Sequence, residues 1–456
     1  MNRIKTGVRM GFAEVNITPA FSMELIGFDR QDNLSRGILD KLIAQIVVWD
    51  DQTRKTCIVS IDSIGFTAEK SNVLREVIAD RLFTNREQVM LCFSHTHSAP
   101  DAGSEKGYYD FVCAQIIKGI DEAMKTLAPV KAVWGIAKAD IGINRRNQAG
   151  ILDRRIGVLK IASAMTNQLR LVILRVTAHA NVLTSDNYLV SADFFGATRE
   201  LLGKKYDCKI MLTQGASGNV RPKYQHSDAV FMEEHPHEAM KMQKTPEILK
   251  KRFDETMGAL AKMATEIDEA LGAVIESMIP EPIYRMDMFS EIQSFSADVP
   301  IIKRAGEITD EALREAGIDG TKWFEEVKRL HRKQINHQIS NMEIQFFILN
   351  DGCLCGVADE VMCEISLDIL QKVKNQIIFF GGYTNGCEGY LPTKEEYQKG
   401  GYEVLWSYLV YYRYHGRIMP LNSDTAERLA AFIAAKWNKI TTIESFHRLG
   451  SHENIQ

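Results

Sequence analysis

Short, nearly continuous apolar runs, each closed by a polar break, constrain this 456-residue chain more than any other feature of it. Val89-Met90-Leu91-Cys92-Phe93 and residues 169–178, 209–212 and 353–357 are too short for core helices and too apolar for solvated edges, so they read as buried strands. Helical patterns stand between the first of them, at 69–81, 108–127 and 193–202. Residues 43–49 and 56–61 form a hairpin around Asp50-Asp51-Gln52-Thr53, and 131–143 and 156–163 add further strands. Strands and helices alternating in this way place the chain in the α/β class.

The pattern changes after residue 223. Residues 226–244 are polar and rich in His and Met, and read as a loop. Thr245-Pro246 then supplies an N-cap followed by proline at the first helical position. Phe253, Met257, Leu260, Met263, Ile267, Leu271, Val274 and Met278 recur every three or four residues until Pro280, the stripe of a core or interface helix. Charged helical sequence returns at 307–336, residues 341–349 and 353–357 turn on Asn350-Asp351-Gly352, and Ser423-Asp424 caps a last helix reaching about residue 440. We read one catalytic unit over residues 1–456, with a helical insertion at 225–340 that serves as a lid or as a contact in a homo-oligomer.

Composition sets limits on function. A hydrophobic share of 45% and a charged share of 25% are ordinary for a globular protein with a large core. A net charge of −4 and a pI near 6.3 give no footprint for nucleic acid or an anionic membrane. No segment approaches 18 uninterrupted apolar residues, so membrane insertion is not expected. The basic opening Met-Asn-Arg-Ile-Lys has no apolar run behind it, which argues against a secretory signal. The eight cysteines are scattered without a CxxC pair, so reduced thiols and a cytoplasmic location are expected.

The chemistry-bearing residues cluster where strands end. Ser94-His95-Thr96-His97-Ser98-Ala99-Pro100 follows the 89–93 strand directly. Histidines two apart at such a place face roughly the same side. They can hold a metal, move protons near neutral pH, or form a polar surface turn. His179 closes the 169–178 strand in the same way, with a hydrogen-bonded structural histidine as the alternative. Glu360 follows the 353–357 strand and opens a helix over 361–373, where an acid also complements the helix dipole; Glu364 is a neighbouring acid. Tyr390, Tyr397 and Tyr402 lie in a stretch with Gly and Pro where tyrosines ordinarily pack loops, and Arg145 reads as a turn arginine.

Taken in order, these segments resemble the neutral, non-lysosomal ceramidase family. The resemblance is carried by residues 11–28, Val59-Ser60-Ile61-Asp62, and Ser94–Pro100 against the family's Ser-His-Thr-His-Ser-Gly-Pro. It continues through Asn144-Arg145, His179, Val190-Ser191-Ala192-Asp193, Gly218-Asn219-Val220-Arg221-Pro222, Glu360 and the tyrosine-rich stretch 383–403. It implies that family's N-terminal catalytic domain, a mixed-sheet domain layered α/β/β/α. It further implies a Zn²⁺ held by His95, His179, Glu360 and Tyr390, with an open position for a water that attacks an amide or ester carbonyl. His97 is then a catalytic neighbour of the substrate, although spacing alone would let both histidines of the pair ligate. Arg145 and Tyr402 match positions lining the reaction centre, where a cation and a phenol stabilise an oxyanion.

The departures bear on substrate. Asp359 stands where the family has Gly before the glutamate, and Arg221 stands in the place of a serine considered as a nucleophile. An arginine cannot accept an acyl group, so the mechanism implied here rests on metal-activated water. Arg221, with Arg146 and Asn219, forms a candidate binding set for a carboxylate or phosphate; solvent or a structural ion pair is the alternative for Arg221. With about 45 residues after the last match, the family's C-terminal β-sandwich is not expected here. The expected function is zinc-dependent cleavage of a linear amide in a small polar or anionic molecule other than ceramide. A biosynthetic reaction at the same zinc site and a non-catalytic ligand-binding descendant are the alternatives.

Overall fold

A computed structural model describes residues 7–102, 105–146 and 150–452, with side chains to residue 442. The apolar runs form two packed sheets. The larger holds β1 (Arg9–Asn16), β2 (Ile43–Asp50), β3 (Lys55–Ile61), β4 (Val89–Phe93), β5 (Ala128–Lys138), β6 (Arg155–Ser163), β7 (Leu169–Val176) and β8 (Lys209–Gln214). Their spatial order is β4-β3-β2-β1-β5-β6-β7-β8, with Glu281–Pro282 added against β5. Neighbours are antiparallel except β3 with β4 and β7 with β8, which run parallel. The second sheet holds β9 (Met286–Asp298), β10 (His337–Leu349), β11 (Gly352–Gly356) and β12 (Ile378–Gly381) in sequence order, with β11 and β12 parallel.

The strands read as apolar because both faces of each sheet are covered. Between the sheets, Trp49, Ile58, Met90, Ile161, Ile173 and Met211 meet Phe347, Leu354 and Phe379. Trp134 joins the layers twice: its ring stacks on Phe379 at 5.6 Å and its indole N–H donates to the Leu349 carbonyl at 2.7 Å. Outside the larger sheet, α1 (Ala68–Leu82) and α2 (Lys106–Lys125) cover the β1–β4 half, and α3 (Phe194–Tyr206) with α4 (Pro246–Ser277) cover the β5–β8 half. After α5 (Ile302–Ala316) and α6 (Thr321–Arg332), α7 (Cys363–Lys372) and α8 (Thr425–His452) close the outer face of the second sheet. The result is the expected α/β/β/α layering.

Thr245 caps α4 as its sequence suggests, accepting from the Ile248 N–H at 3.3 Å, and the apolar stripe packs Leu260, Met263, Ile267 and Leu271 into the core. Two expectations need correction. The 225–340 stretch is not helical throughout: β9 lies inside it and pairs with β10 from Met286–Leu349 to Asp298–His337. Within β9, inward Phe295 and Ala297 are two apart, the period of a strand, which the flanking charged helices masked. Residues 226–244 also contain two short helices, Ala229–Glu234 and Pro236–Ala239, rather than a plain loop.

The topology gathers strand ends. His95 follows β4, His179 follows β7, Glu360 follows β11 and Tyr383 follows β12, each beyond the carboxyl end of a strand that has a parallel neighbour. Side chains draw the two ends of the larger sheet together: Ser60 Oγ on β3 donates to the Leu212 carbonyl of β8 at 2.7 Å, and Gln214 Nε2 of β8 donates to the Ser94 carbonyl just after β4 at 3.1 Å. Trp134→Ala removes an inter-sheet ring and leaves a buried carbonyl without its donor; the expected destabilisation is roughly 3–5 kcal/mol, read as a lowered urea midpoint.

Candidate metal centre

His95 sits in the left-handed backbone region, at φ 60°. Such a conformation is uncommon for a side-chain-bearing residue and persists where surroundings hold it. Here the His95 N–H donates to the Ser63 carbonyl at 2.9 Å, and ring Nδ1 lies 2.7 Å from the Ile64 carbonyl. His179 is held in the same manner, its N–H on the Val220 carbonyl at 2.9 Å and its Nδ1 on the Ser217 carbonyl at 2.8 Å. A carbonyl only accepts, so both Nδ1 atoms carry hydrogen, and in the neutral form of either ring Nε2 is left to present a lone pair.

Glu360 meets those lone pairs. It lies in a two-residue strand, Glu360–Val361, paired in parallel with Tyr390–Leu391, so Glu360 and Tyr390 are direct neighbours across a ladder. This corrects the helix expected to open at residue 361, which starts at Cys363. Gly218 makes the approach possible: a Cβ there would lie 2.4 Å from the Glu360 carbonyl oxygen. Glu360 Oε2 stands 3.3 Å from His95 Nε2 and 3.6 Å from His179 Nε2. A charge-assisted hydrogen bond would be shorter, at about 2.7–2.9 Å. Two donors bound to one tetrahedral Zn²⁺ at about 2.0–2.1 Å from it stand about 3.3–3.4 Å apart. The spacing therefore fits a shared cation better than direct pairing, and His179 Nε2, buried with no hydrogen-bond partner, points the same way.

The charge states fit as well. Burial opposes ionisation of Glu360, but His95, His179 and Arg145 outweigh it and bring its pKa down to about 2. Burial, then the charges of His95 and Arg145, holds His179 well below the ordinary imidazole range. A neutral imidazole and an ionised carboxylate at pH 7 are the forms in which these groups bind metal. His97 is also held low, by burial and by His95, Arg30 and Arg145. Its two ring nitrogens are buried without partners, and its ring stands 5.1 Å from that of His95 and 5.3 Å from that of His179.

Two overlapping ligand sets are present among the described residues: His95, His97 and His179, and His95, Glu360 and Cys387. The Cys387 thiol was not anticipated from sequence; it lies 4.0 Å from His95 Nδ1 and 3.8 Å from Glu360 Oε1. Because His95 Nδ1 already donates to Ile64, the seat bounded by the Nε2 atoms and Glu360 Oε2 is the better built. Cys387 then backs the ligands, as does Tyr383, whose hydroxyl donates to Glu360 Oε2 at 3.4 Å and whose ring lies 4.4 Å from that of His95.

Arg145 stands beside Tyr390, its Nη2 3.5 Å from the phenol oxygen and 2.9 Å from the Gly218 carbonyl. Glu233 at 2.6 Å and Glu403 at 2.8 Å flank it. Tyr402 borders the group, its ring 6.4 Å from that of Tyr390, and is 41% exposed. The anion-binding trio fares differently. Arg146 is bound to Glu396, Glu403 and the Gly400 carbonyl. Asn219 is buried among Asn144, Glu364 and the Cys363 N–H. Arg221, half-buried, donates to the Pro222 carbonyl at 3.3 Å and Gln225 at 3.4 Å. These contacts engage Arg146 and Asn219 within the protein, because carboxylates remote in sequence reach them. The ion pairs to Glu233 and Glu403 have no local sequence signal.

No family model and no curated protein sequence matches the chain. Solved structures share its fold. The crystal structure of neutral ceramidase from Pseudomonas aeruginosa is similar with a TM-score of 0.64 and 18% identity, over 92% of this chain and 75% of that one. A structure described as ceramidase complexed with C2 is similar with a TM-score of 0.68 and 16% identity, over 96% of this chain and 75% of that one. At such identities the likeness is one of fold.

The two ligand sets are separable by metal content. Elemental analysis after loading with zinc is expected to find one equivalent in the wild type and in Cys387→Ser, and a loss of at least about tenfold in affinity in His179→Ala and Glu360→Gln. Retention in His179→Ala with loss in Cys387→Ser would move the ion to the other seat.

Proposed function

We propose that this protein is a zinc-dependent hydrolase that cleaves a linear amide in a small polar or anionic molecule. The observation that carries the reading is the spacing of His95 Nε2, His179 Nε2 and Glu360 Oε2, with the remaining imidazole nitrogens anchored on carbonyls. Tyr390, paired across the ladder from Glu360, is the fourth candidate ligand. Zinc held there supplies Lewis acidity towards a carbonyl and lowers the pKa of water. The fold shared with ceramidases, which act on amides by name, supports the same reaction class.

The chain's own groups divide the remaining work. His97, held neutral and beside His95 and His179, is the group to which we assign taking a proton from the attacking water and returning it to the leaving amine. Arg145 keeps its charge beside Tyr390, since Glu403 and Glu233 raise its pKa against the effect of burial. It thus favours negative charge developing near that phenol. Arg221 occupies the serine position and cannot form an acyl intermediate, so the attacking group is water.

The experiment is a hydrolysis assay of zinc-loaded and chelator-treated protein on N-acyl amino acids and simple amides, following release of the amine. His97→Ala is expected to retain zinc and lose roughly 100-fold or more in kcat, the usual contribution of a general acid–base. Hydrolysis that survives both metal removal and His95→Ala would overturn the proposal.

A further inference from the structure

The segment that opens at Gly27 crosses the face of His97. Gly27 has φ 104°, and a Cβ there would lie 2.5 Å from the His97 ring. Phe28 meets that ring edge-on at 4.7 Å, and the Arg30 guanidinium lies 5.2 Å from the Phe28 ring centre. Arg30 Nη2 donates to the His97 carbonyl at 2.9 Å and its Nε to the Asn187 carbonyl at 2.8 Å. Both acceptors are neutral. Nη1 is buried and has no hydrogen-bond partner, and the residue as a whole is only 4% exposed.

Five arginines are buried among the described residues: Arg30, Arg75, Arg175, Arg252 and Arg417. Arg75 holds Glu343, Arg252 holds Asp186 and Asp228, and Arg417 holds Asp359. Arg175 donates to the Gln214 and Cys355 carbonyls, which belong to the two facing sheets, so it bridges the interior. Arg30 alone of the five borders the histidine cluster, and no carboxylate among the described residues pairs with it. A buried cation without a counter-charge is unfavourable, and burial draws the Arg30 pKa down to about 10 against a small opposing effect of Tyr188. The arginines flanking the other side of the centre, Arg145 and Arg146, are neutralised by Glu233, Glu396 and Glu403.

We propose that Arg30 is a specificity-determining residue that receives a carboxylate of the substrate, using the two free N–H groups of Nη1. The inference rests on the hydrolase reading and adds to it the substrate class: a linear amide bearing a carboxylate close to the scissile bond, as in an N-acyl amino acid. One guanidinium matches the single charge of a carboxylate, whereas a phosphate dianion would leave a charge uncompensated in a buried site. Arg30, rather than Arg221, is then the anion anchor.

Calorimetric titration of the full-length, zinc-free protein with N-acetylglycine and N-hexanoylglycine, each against its primary amide, reads this without turnover. The wild type is expected to prefer the acids by about tenfold or more, the worth of a hydrogen bond to a charged group. Arg30→Gln, checked by circular dichroism and zinc content, is expected to lose that preference, and Arg30→Lys to keep part of it. Equal binding of acid and amide by the wild type, or undetectable binding of both acids, overturns the proposal and needs no variant. An acid preference that survives in folded Arg30→Gln overturns it too. Arg30-dependent preference without hydrolysis by the zinc-loaded protein leaves the anion subsite standing and removes the hydrolase; equal hydrolysis of acids and amides, unchanged in Arg30→Gln, does the reverse.

Discussion

Burial of one sheet face against the other governs the rest of the molecule. The larger sheet alone brings His95 and His179 to one rim, since its β3–β4 end approaches β8 through Ser60, Gln214 and their carbonyl partners. The carboxylate that meets those imidazoles follows β11 of the second sheet, on the short ladder to Tyr390. Only when Trp49, Trp134 and Met211 pack on Phe347, Leu354 and Phe379 do the two rims coincide. The apolar interface is thus the scaffold on which atoms 3.3 Å apart are set, and packing at near-crystalline density is what makes such placement reproducible.

Charge is distributed around the centre with little left unbalanced. Arg145 and Arg146 share Glu403 and add Glu233 and Glu396, while Arg417 neutralises Asp359 next to Glu360. Against that background, a buried guanidinium resting on two carbonyls is conspicuous. The ionised Glu360 and the neutral His179 form the complementary case, a site whose protonation is already arranged for a cation.

Much of the fold was legible because buried strands leave apolar runs and amphipathic helices leave a three-four step, both local signals. The histidine pair was legible for a similar reason, a short spacing at a strand end. What escaped was non-local or masked. Met286–Asp298 is a strand because His337–Leu349 lies beside it, yet it sits between helical stretches whose charge pattern dominates. Glu360 looked like the start of a helix, since nothing in its own neighbourhood announces the ladder to Tyr390. Cys387 and Glu233 carry no spacing motif at all. Arg30 was silent because what sets it apart is a missing partner beside the histidine cluster, and neither an absent neighbour nor a distant one can be read from a string. Conversely, Arg146 and Asn219 looked available only because the acids that engage them are distant in the chain.

The pairing of residues 145 and 390 spans 245 positions, and that of 95 and 387 spans 292. A nascent chain that has emerged as far as β10 already holds every histidine of the cluster but lacks its carboxylate, its phenols and one of its two sheets in finished form. The centre therefore cannot close until the segment carrying Glu360 and Tyr390 has been made, because loop closure over such distances must precede any gain from the contacts. Until that segment is in place, His95 and His179 lack the carboxylate that completes their seat.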